Sequence, residues 1–374
     1  MPDATPQFYT ADPKRRAASL ASRPEPVQRL MDRHEVYRPG DDLIRAVNVA
    51  LLLGMPLLLT GAPGVGKTRL ASHLAEEHRA PYAFYGVTSA SSARDLLYGF
   101  DELGRMREAF RRGGDTANAS SLAPRVHVPQ EAPDDLRRYL SFRALGRAIL
   151  RAGGPDAPLQ RIAAGPGAER GLTTFADLFD FAEDRRAAAQ GRALEIDWTE
   201  PTVVLIDEID KAPRDLPNDL LTELDRMQFD VPELGVRVRL PDAAPRPIVL
   251  ITSNAERALP EPFLRRCVYH HVEWPADRLD EIVGLHIEAL QTDTKRRADA
   301  RALVDLLRSD ARIARPPGLA EMLQWLHLLE RDGIVDLRGR DRARLPGTLG
   351  ALLKTEPDMR VGRELLGRWT PPAP

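Results

Sequence analysis

The stretch LLLTGAPGVGKTRL, Leu57–Leu70, decides the fold. Its first residues are apolar or small and predict a short buried strand, and the residues after them fit the pattern G-x-x-x-x-G-K-S/T without a gap. Glycines at 61, 64 and 66 let the backbone bend so that successive N–H groups point into one concavity, at the positive end of the following helix. The stretch therefore predicts a binding site for the phosphates of a nucleoside triphosphate.

Every residue of this phosphate loop is a candidate ligand-binding residue. The candidates are Gly61, Ala62, Pro63, Gly64, Val65, Gly66, Lys67, Thr68 and Arg69. We expect Lys67 to reach the β and γ phosphates as a point charge, and the Thr68 hydroxyl to be one ligand of Mg²⁺. The alternative, a glycine-rich turn without a ligand, is disfavoured because strand, loop and helix follow in the order that the motif requires.

The composition is typical of a globular protein whose net charge is close to zero. The 374 residues include 53 basic and 55 acidic ones, for a formal charge of −2, so no global charge favours nucleic acid or an anionic membrane. The single cysteine, Cys267, excludes an internal disulfide and fits a reducing compartment. No apolar run reaches the roughly 20 residues that cross a bilayer, and the N-terminus lacks the apolar core of a signal peptide. A cytoplasmic location is therefore expected.

The periodicity of apolar residues predicts an α/β domain followed by a helical domain. Residues 1–30 are rich in proline and predict a mobile tail, 31–275 an α/β core with an insertion at about 100–198, and 276–374 a helical lid domain and tail. The predicted core elements are the helix Asp41–Leu53, a helix from the phosphate loop to about His78, the strands Leu57–Thr60, Tyr82–Thr88, Thr202–Ile206, Ile248–Thr252 and Val268–Val272, the helix Arg214–Met227 and the hairpin Phe229–Leu240.

Two further groups of helices are predicted outside the sheet. In the insertion they are Arg137–Arg151 and Phe175–Ala189, with breaks at Gly113–Pro133 and Gly153–Gly171. In the C-terminal domain they are Leu279–Leu290, Ala298–Leu307, Gly318–Leu329 and Leu345–Leu353. The C-terminal series predicts a domain that is entirely helical.

A second motif, VVLIDE at Val203–Glu208, distinguishes among the classes of protein that share a phosphate loop. Asp207, at the carboxyl end of a buried strand, is expected to hold Mg²⁺ through water, and Glu208 to orient and deprotonate an attacking water. The pair predicts hydrolysis. A small-molecule kinase needs no base for water, and the sequence lacks the Asn/Thr-Lys-x-Asp guanine motif of a Ras-type GTPase. Two solvated acids at a strand end are the alternative interpretation.

Three polar residues further along the chain complete the candidate site, one at the end of a predicted strand and two just before the last predicted strand. Asn254 ends a strand where its side chain could contact both the γ phosphate and the attacking water, although a turn-forming asparagine is the alternative. Arg265 and Arg266 stand just before the last predicted strand. An arginine there could neutralise transition-state charge on the nucleotide of a neighbouring subunit, and surface salt bridging is the alternative.

The order of these motifs, GAPGVGKT, VVLIDEIDKAP, ITSN and LPEPFLRR, resembles an AAA+ ATPase of the MoxR family, over about Val36 to Leu353. The stretches IDEIDKAPRDLPNDLL and RPPGLAEMLQW are similar to a branch of that family often encoded beside proteins with a von Willebrand factor A domain. The resemblance implies a P-loop NTPase fold with a parallel sheet flanked by helices and a helical lid. It also implies a ring, usually a hexamer, that remodels or activates a protein client, here a von Willebrand factor A domain protein.

The resemblance assigns roles to single positions. Lys67 and Thr68 match Walker A, Asp207 and Glu208 match Walker B, Asn254 matches sensor 1, and Arg266 matches the arginine finger. Arg265 stands where the family commonly has aspartate, so either arginine could act across the interface. The usual sensor 2 arginine falls on Ala320, and Arg315 could substitute from one turn earlier. Tyr37 is a candidate for the adenine pocket.

Two other functional classes stay open. One is a nucleic-acid-directed NTPase related to McrB, which the near-neutral charge and the lack of a basic, aromatic-rich face disfavour. The other is a slow nucleotide-dependent assembly switch, which Ala320 keeps open. A metal site at His270 and His271 is disfavoured, because adjacent residues of a strand point to opposite faces.

Overall fold

The structure, a computed structural model, describes residues 37–117, 135–162, 171–189, 196–287, 290 and 293–370. The chain divides into two compact units. The sheet unit comprises Asp41–Thr60 and Ala71–His271, and the helical unit comprises 37–40, Gly61–Leu70 and the described residues from Val272 onward. The predicted tail at 1–30 lies outside the described residues, and the predicted domain boundaries stay predictions.

The described residues contain ten strands. They are β1 (Leu57–Thr60), β2 (Tyr82–Gly86), β3 (Tyr98–Phe100), β4 (Leu140–Phe142), β5 (Gln160–Arg161), β6 (Val203–Asp207), β7 (Gln228–Val231), β8 (Val236–Arg239), β9 (Ile248–Ser253) and β10 (Val268–His271). Five of them form a parallel sheet in the order β10-β1-β9-β6-β2. The central strands are buried on both faces, which explains their nearly continuous apolar sequence.

The register of this sheet brings the carboxyl ends of three strands to one edge. Thr60, the last residue of β1, pairs with Ser253 of β9, and Ile206 of β6 pairs with Ile251 of β9. The phosphate loop follows β1 directly in the sequence, and Asp207 closes β6. Ligands of open α/β sheets bind outside the carboxyl ends of the strands. The sheet therefore places the acidic motif at the edge where a ligand is expected.

The described residues also contain fourteen α-helices. They are α1 (Asp41–Leu53), α2 (Lys67–Glu77), α3 (Ala93–Leu97), α4 (Glu102–Ala117), α5 (Ala144–Gly153), α6 (Phe181–Ala189), α7 (Leu216–Asp219), α8 (Leu221–Arg226), α9 (Glu261–Leu264), α10 (Leu279–His286), α11 (Thr294–Ser309), α12 (Leu319–Arg331), α13 (Leu345–Thr348) and α14 (Glu356–Arg368). Helix α1 packs against β10, and α5 packs against β2 and β6. The predicted bounds of α1 and β1 are confirmed.

The insertion departs from its prediction at Arg137–Arg151. In place of one helix, the structure has a 3-10 turn at Leu136–Tyr139, strand β4 and then α5. Strand β4 forms an antiparallel ladder with β3, in which Phe142 pairs with Tyr98. The helical spacing of this segment was misleading, because a strand partner about forty residues earlier in the chain overrides local preference.

A second predicted helix of the insertion, Phe175–Ala189, is only partly present. Phe175–Asp177 forms a 3-10 turn, and α6 begins at Phe181 because the Asp180 carboxylate accepts the N–H groups of Ala182 and Glu183. The predicted break at Gly113–Pro133 is wrong in its first residues, which belong to α4, and the rest lies outside the described residues.

The segment after the acidic motif also divides more finely than predicted. The helix predicted at Arg214–Met227 consists of α7 and α8, and it ends where Met227 adopts a left-handed φ of 46°. The predicted hairpin is confirmed: β7 and β8 pair antiparallel, with Gln228 opposite Arg239, and β5 joins β8 as a third strand.

The helical unit has its own apolar core, built from α10 to α14. Trp325 of α12 is fully buried, and its indole N–H donates to the Thr348 hydroxyl at 2.8 Å. The helix predicted at Leu345–Leu353 is the short α13 followed by a 3-10 turn, Leu349–Ala351, and α14 was not predicted. Within the part of the chain that the structure describes, no helix combines the length and apolar character needed to span a bilayer.

Candidate functional site

The phosphate loop is built around three glycines and a buried lysine. Gly61, Gly64 and Gly66 have positive φ angles of 141°, 77° and 95°, which side chains other than glycine's rarely adopt. Lys67 is buried, and its Nζ donates to the carbonyl oxygens of Gly61 at 2.8 Å and Ala62 at 2.9 Å. The Lys67 ammonium thus bonds to carbonyl oxygens of its own loop, and the residues of the loop fit a polyphosphate ligand.

Close contacts within the helical unit explain why two of these glycines have no side chain. A Cβ on Gly61 would lie 2.4 Å from the Val272 carbonyl oxygen, and one on Gly66 would lie 3.2 Å from Cε2 of the Tyr37 ring. Tyr37 therefore packs against the phosphate loop. Burial raises the pKa of its phenol, and the nearby positive charge of Arg69 partly opposes this. The adenine-pocket role of Tyr37 stays a prediction.

The start of α12 contacts the phosphate loop through its backbone. The Ala320 N–H donates to the Gly64 carbonyl oxygen at 3.2 Å. A Cβ on Gly318 would lie 2.6 Å from the Pro63 carbonyl oxygen, so this approach requires glycine. Glu321 accepts the N–H of Gly318 at 3.1 Å and so caps the helix. Ala320 thus contacts the loop with its main chain, and its correspondence to the sensor 2 arginine stays a prediction.

Arg315, the alternative sensor 2 residue, is exposed. Its backbone N–H bonds to the Asp358 carboxylate, which also accepts the N–H of Ala314 at 2.9 Å. These bonds lower the pKa of Asp358, together with the bond from the Thr355 side chain, which has the largest effect. A role of Arg315 toward nucleotide stays a prediction.

The acidic motif forms one hydrogen-bonded group with the end of β9. The Thr252 hydroxyl donates to Asp207 Oδ1 at 2.6 Å and accepts the backbone N–H of Glu208 at 2.8 Å. Glu208 has a left-handed backbone, with φ of 58° and ψ of 52°. The turn at Glu208 therefore redirects the chain immediately after the strand, and Thr252 ties it to Asp207.

Both carboxylate oxygens of Glu208 have partners on the protein. Asn254 Nδ2 donates to Oε1 at 3.0 Å, and Lys211 forms an ion pair with Oε2. The bond to Glu208 raises the pKa of Lys211. The structure thus brings together Glu208 and Asn254, which the sequence analysis predicted to act on one water molecule.

Asp210 fixes the backbone of the loop that carries Asn254. Its side chain is 3% exposed and accepts the N–H groups of Asn254 at 3.2 Å and Glu256 at 3.0 Å. Between those two residues, Ala255 has a positive φ of 59°. A buried carboxylate thus holds an unusual backbone in place.

The two candidate arginines are exposed and engaged in ion pairs. Arg265, directly after α9, pairs with Glu261 of that helix, and Arg266 pairs with Asp225 and donates to the Pro262 carbonyl oxygen at 3.1 Å. Exposed pairs of this kind contribute little to stability and break at small cost. Both arginines therefore remain candidates for contact with a neighbouring subunit.

Residues 56–120 match the family model of the AAA domain, dynein-related subfamily. The match covers β1, the phosphate loop, β2 and the first part of the insertion. With the five-stranded parallel sheet flanked by helices and the helical C-terminal region, it confirms the predicted α/β fold of AAA+ ATPases. A comparison with curated proteins found no match. The AAA domain supports nucleotide binding and ATPase activity in general.

Mg²⁺ is expected to reach this chain with a nucleotide, as the sequence analysis predicted. Among the described residues, no group of three His, Cys, Asp or Glu side chains could hold a metal ion by itself. Mg²⁺ needs only one or two protein ligands when phosphates and water supply the rest, and hydroxyl and carboxylate oxygens are ligands of the kind that it takes. The roles of Thr68 and Asp207 toward Mg²⁺ stay predictions. His271 Nδ1 lies 3.0 Å from the Thr60 hydroxyl.

Sequence reasoning missed several residues of the site. Thr252, Asp210 and Lys211 contact the predicted residues; they lie within the quoted motifs ITSN and VVLIDEIDKAP, but the sequence analysis gave them no role. His286 was also missed; burial lowers its pKa to about 4, and the charges of His327 and Arg69 add to this. His286 is therefore neutral at pH 7. The register of β6 and β9 is the signal that could have identified Thr252. Ile251 pairs with Ile206, so the residue after Ile251 lies beside the residue after Ile206, which is Asp207.

Proposed function

We propose that this protein hydrolyses ATP as an AAA+ ATPase of MoxR type, and that it acts in a homo-oligomeric ring to remodel or activate a protein client. The observation that supports hydrolysis most directly is the bond of Asn254 Nδ2 to Glu208 Oε1, at 3.0 Å, at the carboxyl edge of the parallel sheet. A carboxylate and an amide side by side can hold one water molecule between them.

In this proposal the phosphate loop binds the phosphates of the nucleotide. Its backbone N–H groups and the ammonium of Lys67 would bind the phosphates; the Thr68 hydroxyl would hold Mg²⁺, and Asp207 would hold it through water. When bound, Mg²⁺ neutralises charge on the β and γ phosphates. Lys67 Nζ must exchange the carbonyls of Gly61 and Ala62 for phosphate oxygens, which carry more negative charge.

The chemical step belongs to Glu208 and Asn254. Glu208 accepts a proton from a water molecule that Asn254 orients. The water oxygen then bonds to the γ phosphorus, while the bond from that phosphorus to the bridging oxygen breaks and leaves ADP and inorganic phosphate. Lys211 occupies one oxygen of Glu208, so the proton transfers to the carboxylate at a site that Lys211 does not cover.

The ring and its partners complete the proposal. Arg266, or Arg265 beside it, would leave its ion pair to stabilise the transition-state charge on the nucleotide of the next subunit. A hexamer in the cytoplasm, with a von Willebrand factor A domain protein as its client, is the arrangement that the sequence resemblance favours. Nucleic acid is not expected as a partner, because the net charge is −2.

One observation favours a second candidate, the slow assembly switch. Ala320 contacts the phosphate loop only as a small residue whose N–H bonds to the Gly64 carbonyl, so α12 offers no cation at that position. Without a cation there, transition-state stabilisation beyond that from Lys67 and Mg²⁺ depends on the arginines of a neighbour. Turnover would then stay slow until rings or client complexes form.

Phosphate release with different nucleotides tests the proposal. We expect the purified protein to hydrolyse ATP in preference to GTP, without stimulation by DNA, and Lys67→Ala to lose nucleotide binding. Lys354→Ala is the matched control, because the amine of Lys354 contacts only the nearby carbonyl oxygens of Gly350 and Ala351 among described residues. GTP preference with DNA stimulation would support the McrB-like alternative and contradict the proposal, as would full binding by Lys67→Ala.

A further inference from the structure

We propose that Thr252 is a positioning residue for both acids of the Walker B motif. Its buried hydroxyl joins the Asp207 carboxylate to the Glu208 backbone, and so fixes the direction in which each acid leaves β6. The inference rests on the proposed ATPase function, because the consequence it predicts is for hydrolysis.

The sheet register places Thr252 beside the acids. Ile206 of β6 pairs with Ile251 of β9, and the next residues along the two parallel strands are Asp207 and Thr252. Neighbouring residues at the same level of a parallel sheet point to the same face. The two side chains therefore meet, and the hydroxyl lies 2.6 Å from Asp207 Oδ1.

The Thr252 hydroxyl can bond to both acidic residues because it accepts a hydrogen bond from one and donates a hydrogen bond to the other. The Glu208 N–H donates to the oxygen at 2.8 Å, so the one hydroxyl proton is available for Asp207. Thr252 is only 1% exposed, and water cannot easily replace either bond.

The bond to Glu208 matters because that residue has a backbone conformation that non-glycine residues rarely adopt. A φ of 58° persists only if contacts with the surroundings stabilise it. The bond from the Glu208 N–H to the Thr252 hydroxyl is one of these contacts. If the hydroxyl is removed, the peptide between Asp207 and Glu208 can rotate. The Glu208 carboxylate would then leave its place beside Asn254.

Replacement of Thr252 by valine and by serine tests the proposal. Thr252→Val keeps the shape and removes the hydroxyl, and we expect kcat for ATP to fall roughly 10- to 100-fold, with a higher Mg²⁺ requirement and little change in nucleotide affinity. Thr252→Ser keeps the hydroxyl and should restore most of the activity. Thr348→Val is the matched control: it removes another buried hydroxyl, bonded to Trp325, from the helical unit and should leave kcat unchanged below its melting temperature.

Hydrogen exchange at the Glu208 amide gives a readout that does not depend on turnover. We expect slow exchange in the wild type and in Thr252→Ser, and faster exchange in Thr252→Val. Unchanged exchange in Thr252→Val, or wild-type kcat with a wild-type Mg²⁺ requirement, would overturn the proposal. A wild-type protein without ATPase activity would instead overturn the proposed function, and the exchange result would still decide whether Thr252 holds Glu208.

Discussion

At the scale of single residues, the stability of the site depends on Asp210. Its buried carboxylate accepts two backbone N–H groups of the Asn254–Glu256 loop. We expect Asp210→Ala to lower the free energy of unfolding by at least about 1–3 kcal/mol, because buried N–H groups lose their acceptors. Urea denaturation measures this change. Asp242→Ala is the control, since the Asp242 side chain is 93% exposed and its loss should change stability by only about 0.5 kcal/mol. Equal effects of the two substitutions would contradict the role of Asp210.

The residues that the sequence could predict are those whose role lies within one short motif. Lys67, Asp207 and Glu208 each belong to a contiguous pattern that requires its residue types. Thr252 and Asp210 act through bonds to residues more than forty positions away, and such bonds depend on strand register and on the path of a loop. No local pattern contains that information.

At the scale of elements, the start of α12 is fitted to the phosphate loop through Gly318. A Cβ there would lie 2.6 Å from the Pro63 carbonyl oxygen, so Gly318→Ala must displace the loop or the helix. Displacement of this kind costs about 1–3 kcal/mol, and we expect ATP affinity to fall about tenfold. Fluorescent-nucleotide titration measures it. Gly347→Ala is the control, because nothing lies within 4 Å of its added Cβ. Unchanged affinity in Gly318→Ala would show that this contact does not shape the nucleotide site.

Elements were predictable where a local pattern and the tertiary environment agree. The strands Leu57–Thr60 and Ile248–Ser253 are apolar runs between turns, and both are buried as such runs require. Strand β4 was missed because only its pairing with β3 makes it a strand. Helix α14 was missed although its start carries two signals, the capping hydroxyl of Thr355 and the proline that follows.

At the scale of the whole molecule, we propose that this α/β fold works within an assembly. Residues 56–120 match an AAA domain, and the sheet presents its acids at the carboxyl edge. The ring, the arginine contributed by a neighbour and the protein client are proposals that the fold permits. In this proposal the ring needs bound ATP, and remodelling of the client needs its hydrolysis.

The most direct test of the account compares phosphate release, ATP affinity and particle size for the wild type and Glu208→Gln. Loss of the base should reduce turnover by about 10²- to 10⁴-fold, leave ATP binding intact and cause ATP-bound rings to accumulate. Glu102→Gln, at an exposed position of α4, should behave as the wild type. If Glu208→Gln hydrolysed ATP at the wild-type rate, Glu208 would not be the base and the proposed mechanism would be wrong.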